Sequence, residues 1–204
     1  LALLHLLFSL KRRSPAQFEI FPVHVDAGFE GPFSRDLQLF VDQNYGNLRI
    51  EYTDYGVRAH SDENRENPCF LCSRLRRKRL FEMAKALGCK KVALGHNKDD
   101  LIETLFINVF YAGKIGTMKP RQSFFSGALD IIRPLSYVEK NDISAFCASR
   151  NLPEFKNNCP SAGKTKRTEI RQMLEMMYSH NEHIKGNIFR AMSNVSADYL
   201  LDRP

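Results

Sequence analysis

Apolar positions along the chain recur with two periods. Residues 18–25 (FEIFPVHV) and 48–53 (LRIEYT) alternate, as strands covered on one face do. Pro22 pushes the first toward a strand end or edge, and it runs into the loop Asp26-Ala27-Gly28. Residues 91–94 and 129–132 are short apolar runs that read as buried strands, the first ending in Gly95-His96 and the second bounded by Pro134. Between these, the spacing turns helical. Residues 1–10 are apolar on every face and predict a buried helix ending in a basic loop at 11–15. Residues 33–44 form an amphipathic stretch with Ser34 as candidate N-cap. Residues 72–87 point Leu75, Leu80, Phe81, Ala84 and Leu87 inward, with Gly88 as a stop. Residues 99–112 read as a helix stopped by Gly113, and 139–150, 166–178 and 184–195 as three more. The stretch 56–68 is polar, without a period, and reads as a loop.

Strands alternating with helices predict an α/β fold: a parallel five-stranded sheet with helices on both faces. Residues 1–155 form the α/β domain, with an insertion at 56–75, and 156–204 a small C-terminal helical extension. Such sheets bind ligands at the carboxyl ends of their strands, which puts Asp26 and Gly95-His96 on the same side. There are no internal repeats.

Composition narrows the class. With 204 residues, 43% hydrophobic and 26% charged, the chain can bury roughly 70% of its unfolded surface, and disorder is excluded. The longest greasy stretch, at 1–8, is too short to span a membrane and is interrupted by His5; no membrane role is expected. Thirty Lys and Arg against 23 Asp and Glu give +7, clustered at 74–79, at Lys114, Lys119 and Arg121, and at 164–171. Such clusters suit a polyanion, although a charge run is usually a solvated face. Five Cys, an odd number without a secretory signal, point to the cytoplasm and to reactive or metal-binding thiols.

Two constellations carry candidate chemistry. Cys69 and Cys72 stand three apart at a loop-to-helix junction, where both sulfurs can reach one metal. A redox pair and two small buried residues are the alternatives. No second CxxC follows, so a four-Cys ribbon is excluded. Cys89 and Cys147 read as core residues, whereas Cys159 sits in the polar loop Asn157-Asn158-Cys159-Pro160-Ser161. Three Cys ligands would leave a coordination position open, which suits catalysis. The second constellation is 94–104 (LGHNKDDLIET), where Asp99, Asp100 and Glu103 crowd a helix N-terminus just after a strand. Asp100 with Glu103 fits a capping box; carboxylates there are also where Mg2+ and a nucleotide would be handled. Gly163-Lys164-Thr165 resembles the end of a Walker loop, but Asn158 stands where its first Gly belongs and no strand precedes it. Lys164, Lys166, Arg167 and Arg171 are expected to face nucleic-acid phosphates instead.

Together these residues resemble the PP-loop ATP pyrophosphatases (adenine nucleotide alpha hydrolase-like), and within them the tRNA 2-thiocytidine synthetases. The resemblance rests on PCxxCSRLRR at 68–77, LGHxxDDxxETLFxNxFYxGK at 94–114, IIRPL at 131–135 and the single downstream Cys159. Asn97 stands where another His is common, and the loop CPSAGKTKR is only loosely like the family's. The family's SGGxDS loop normally precedes a run such as Leu-Ala-Leu-Leu-His-Leu-Leu, so the N-terminus is expected to be missing.

The resemblance implies an ATP-dependent sulfurtransferase that adenylates a pyrimidine C2 carbonyl of tRNA and replaces oxygen by sulfur, at cytidine 32. It implies that Asp26 lies beside the adenosine and Gly95 and His96 near the phosphates. Asp99 and Asp100 act through Mg2+ or orient the activated base, and Cys69, Cys72 and Cys159 hold a [4Fe-4S] cluster, with Zn2+ as the alternative. Its expected partners are a tRNA anticodon stem-loop, a cysteine desulfurase or other sulfur donor, and a second copy in a homodimer. The alternatives are thiolation of a uridine or a small molecule, lysidine-type synthesis, and a non-catalytic RNA-binding protein with a structural metal.

Overall fold

The computed structural model describes residues 1–31, 33–156 and 158–201; Pro32, Asn157 in the loop before Cys159, and 202–204 lie outside them. The α/β fold is as expected, but the single parallel five-stranded sheet is not: the five strands make two sheets, and one strand, at 121–124, was not expected. Val23–Asp26 (β1) pairs in parallel with Arg49–Tyr52 (β2), Val23 opposite Arg49 and Asp26 opposite Tyr52. Lys91–Ala93 (β3) pairs in parallel with Leu129–Ile132 (β5), which also pairs with Arg121–Phe124 (β4). β4 runs antiparallel to β5, since only a tight turn joins them and a parallel pair needs a crossover of a dozen residues or more. That turn holds Phe125, Ser126 and Gly127 at positive φ. Pro22 directly precedes β1, and its carbonyl accepts from Arg49.

The helices correct several expectations. Ala2–Arg13 (α1) continues through the stretch read as a basic loop, and its last turn carries Lys11, Arg12 and Arg13, which suit the negative helix end. It is only half-buried: Ala2 alone is fully covered, while Leu6 and Leu10 stay exposed. His5 hydrogen-bonds the Tyr45 hydroxyl and meets the Phe146 ring edge-on. In Phe33–Asn44 (α2), Ser34 lies inside the helix, buried, and its hydroxyl donates to Asp26 instead of capping. The polar stretch after β2 contains the short helix Tyr55–Ala59 (α3). Pro68–Ala86 (α4) starts before the expected point, with Pro68 in its first turn, where the missing N–H costs nothing.

Lys98–Ala112 (α5), Lys140–Ser149 (α6), Lys166–His180 (α7) and His183–Ala191 (α8) complete the helices. A 3-10 turn follows at Ala197–Tyr199. α7 and α8 are joined to α5 by a common core. Ile102 of α5 and Ile170 and Leu174 of α7 are buried together, with Phe106, Met173, Ile188 and Phe189 around them. Beside that core, Glu103 is buried and takes Arg167 and Arg171 from α7 at 2.8 and 2.7 Å. At the other edge, Lys185 of α8 bridges Asp99 at 2.7 Å and Glu139 at 3.0 Å, and Lys98 reaches Glu139 at 2.7 Å. Among the described residues no helix is long and apolar enough to cross a membrane.

Two stability predictions follow from these pairs. Glu103→Gln removes the charge that both arginines share and should cost about 2–3 kcal/mol in urea unfolding; wild-type stability would refute the role. The lysines hold the Glu139 carboxyl below its ordinary value through hydrogen bonds from Lys98 and then Lys185. Its contribution is therefore present above the ordinary glutamate value and lost as pH falls through the lowered folded value. Glu139→Gln should destabilise by about 1 kcal/mol at neutral pH and match the wild type in acid. A penalty independent of pH would contradict this.

Candidate functional site: thiols and carboxylates at the strand ends

Cys69 and Cys72 sit in the first turn of α4, where a spacing of three puts them on one face. The helix start is fixed by Asn67, whose side-chain oxygen accepts from the backbone of Cys69 at 3.0 Å and Phe70 at 3.2 Å. Cys159 arrives from the far end of the sequence, close enough for its charge to raise the pKa of both thiols. Burial is the larger cause in each case. Arg76 opposes it at Cys72, and the Ser161 hydroxyl beside Cys69 opposes it there. The thiols thus keep their protons at neutral pH, and metal binding must displace them.

Among the described residues no three His, Cys, Asp or Glu converge tightly enough to hold a single ion. Three thiolates are a donor set that suits an iron–sulfur cluster and a zinc ion alike. All five cysteines are free thiols. Cys147 lies beside Tyr45, and Cys89 beside Glu19 and Arg49, away from this cluster of donors.

Next to the thiols, β1 ends in Asp26. Its carboxylate accepts from Gly28 N at 2.7 Å and from the Ser34 hydroxyl, so it shapes the loop after β1. Asp26 and Ser34 line a small cavity with His24, Phe29, Arg76 and Asn158. Arg76, one turn after Cys72, carries a buried Nε with no hydrogen-bond partner among the described residues. Asn158 immediately precedes Cys159 in the chain.

Gly95 and His96 follow β3. A side chain at Gly95 would meet nothing closer than Leu3 of α1, at 3.9 Å. His96 Nδ1 accepts from Arg133 Nε at 3.3 Å, and Arg133 also donates to Lys119 O at 2.6 Å. Burial first, then Arg133, Arg167 and Arg77, lower the His96 pKa, while Asp100 raises it. The ring is thus neutral at pH 7, with Nε2 left as a donor. Arg133 is buried, and neither it nor Arg77 meets a carboxylate among the described residues.

The capping box is set one turn earlier than expected. Asn97 is the N-cap, and its side chain and that of Asp100 exchange backbone hydrogen bonds, both at 3.0 Å. Glu103 is not part of it. Asp99 is engaged twice, by Lys140 N at 2.8 Å and by Lys185. Asp100 keeps its second oxygen nearly free, with Arg167 no closer than 3.5 Å. The basic run at 164–171 is also corrected: Arg167 and Arg171 turn inward to Glu103, and Lys166 lies over the Tyr111 ring and pairs with Glu169. At 74–79, Arg74, Lys78 and Arg79 pair with Glu66, Glu82 and Glu51, leaving Arg76 and Arg77 as the cations nearest the site. From the sequence, Glu103 has only a capping role, Arg76 only a place in a basic cluster and Arg133 only a place in a motif, since no local pattern says which way a charged side chain turns.

Comparison with known proteins identifies the family. The family model for the PP-loop domain matches residues 1–177. The tRNA-cytidine(32) 2-sulfurtransferase of Geobacter sulfurreducens is 34% identical over 98% of this chain and 79% of its own length. That of Syntrophotalea carbinolica is 35% identical over 98% and 78%, and that of Shewanella sediminis 37% over 99% and 65%. In fold, the chain resembles the U34-tRNA thiolase NcsA from Methanococcus maripaludis, solved with its [4Fe-4S] cluster. The TM-score is 0.77 at 20% identity, over 100% of this chain and 69% of that one. The chain belongs to the PP-loop family, in its tRNA-cytidine(32) 2-sulfurtransferase branch.

Proposed function

We propose that this chain is an ATP-dependent sulfurtransferase that converts cytidine 32 of tRNA to 2-thiocytidine. One observation carries the reading: Cys159, far along the chain, comes near enough to Cys69 and Cys72 to raise both thiols' pKa, and its neighbour Asn158 lines a cavity at the end of β1 with Arg76 and Asp26. The relatives' names and the thiolase fold support it. In this reading the C2 carbonyl oxygen attacks the α-phosphorus of ATP and pyrophosphate leaves. Sulfur then bonds to C2, and the C2–O bond breaks as AMP departs with the oxygen.

The chain's own groups divide these tasks. Asp26 holds the loop after β1 open beside the adenosine, and Gly95 leaves room for the nucleotide. Neutral His96 donates from Nε2 toward a phosphoryl oxygen, with Arg133 and Arg77 adding charge where phosphate charge gathers. Asp100, with one oxygen nearly free, is better placed than Asp99 to receive Mg2+, which would neutralise that charge, or to orient the base. Asp99 serves chiefly to tie α5 to α8. Cys69, Cys72 and Cys159 hold the [4Fe-4S] group, which when bound presents sulfur through an iron without a protein thiolate.

Arg76, Arg77 and Lys164 offer cations for the phosphates of an anticodon stem-loop. Sulfur comes from a cysteine desulfurase or similar donor, the active form is a homodimer, and the setting is the cytoplasm. Residues 156–204 act as the extension that delivers the third thiol.

Cys159→Ser should lose most of its iron after anaerobic reconstitution while keeping the wild-type melting temperature, because the residue lies in a loop. Wild-type iron content would overturn the ligand assignment. Asp100→Asn keeps an oxygen that can accept from Asn97 N, so the helix cap survives. In the intact protein it should lower the thiolation rate about 10²-fold with tRNA affinity unchanged. An unaltered rate would remove Asp100 from the chemistry.

A further inference from the structure

The loop bearing Cys159 has little of its own to hold it against α4. Two turns shape it, with Ala162 N donating to Cys159 O at 2.9 Å and Lys164 N to Ser161 O at 3.1 Å. Two side chains anchor it from either side of the thiol. Asn158 donates to Glu30 O at 2.8 Å, on the loop after β1. Ser161 meets His60 Nε2 at 2.7 Å. His60 Nδ1 lies 2.8 Å from Gly56 O, and a carbonyl can only accept. Nδ1 therefore carries the ring proton, and Nε2 accepts from the Ser161 hydroxyl.

His60 is itself firmly seated. Its ring meets Phe29 edge-on, with centroids 5.6 Å apart. Gly56 brings α3 against the same loop by donating to Ala27 O at 2.7 Å. Any side chain at Gly56 would place its Cβ 2.4 Å from the Phe29 ring and 2.8 Å from Ala27 O, so this close approach needs glycine. The chain of contacts runs from the end of β1 through Phe29 and Gly56 to His60, then to Ser161, which stands beside Cys69.

We propose that His60 and Ser161 form a latch that seats Cys159 against Cys69 and Cys72, with His60 a positioning residue for retention of the iron–sulfur group. The latch rests on the three-thiol reading and names the residues that make it durable. Partners behind metal ligands are commonly worth 10- to 100-fold in metal retention.

The test follows iron release to a ferrous chelator from anaerobically reconstituted protein, with thermal unfolding as the control for folding. His60→Ala and Ser161→Ala should release iron about tenfold faster than wild type. His60→Gln, whose side-chain oxygen can still accept from Ser161, should recover most of the retention. Equal release from all forms overturns the latch, as does a His60→Gln variant no better than His60→Ala. If His60→Ala does not fold, Ser161→Ala, which removes one hydroxyl from a surface loop, decides alone. A wild-type chain that takes up no iron refutes the cluster itself, an outcome distinct from failure of the latch.

Discussion

Glu103 is a carboxylate buried in the wall of the hydrophobic core, and the architecture around the site follows from what its charge requires. Alone in that setting it would be strongly destabilising. Arg167 and Arg171 approach it from the same helix, at i and i+4, and keep their outer parts in water. That pairing fixes the rotation of α7 over α5, and Ile170, on the same face, then meets Ile102. Thr165 caps α7 by accepting from Thr168 N, so docking the helix also brings in the loop just before it, which carries Cys159. A charge requirement in the core thereby places the third thiol.

The strand ends organise the rest. β1 delivers Asp26 to one flank and β3 delivers Gly95-His96 to another, with α4 supplying the thiols and Arg76 next to the first. Arg77 and Arg133, without carboxylate partners among the described residues, stand around a histidine whose burial keeps it neutral. Positive charge is therefore concentrated where phosphate is expected, while Arg74, Lys78 and Arg79 on the same helix as Arg77 are matched by carboxylates. Asp99 and Asp100, adjacent in sequence, have separate duties because the helix turns one toward α6 and α8 and the other toward α7.

The parts of the site legible in the sequence were those with short-range spacing. The Cys69-x-x-Cys72 pair, the double Asp after a Gly-His strand end, and the alternation of β1 and β2 are all local signals. What stayed hidden depends on which way a side chain turns across a long separation. Glu103 looked like a cap because its partners lie on α7. Arg167 and Arg171 were expected to face nucleic-acid phosphates for the same reason. The polar strand β4 lacks an apolar alternation and forms by pairing with β5, and His60 sat in a stretch with no period at all. α1, apolar all round, read as buried, yet much of its surface remains open among the described residues.

In the proposed function, three thiolates from two distant segments hold one polynuclear iron–sulfur group. Mössbauer spectroscopy of the anaerobically reconstituted protein, loaded with isotopically enriched iron, tests it most directly. The account predicts about four irons and four sulfides per chain, with one iron spectroscopically distinct because no protein thiolate reaches it. Iron in a single uniform environment, or a zinc ion with no sulfide, would contradict it.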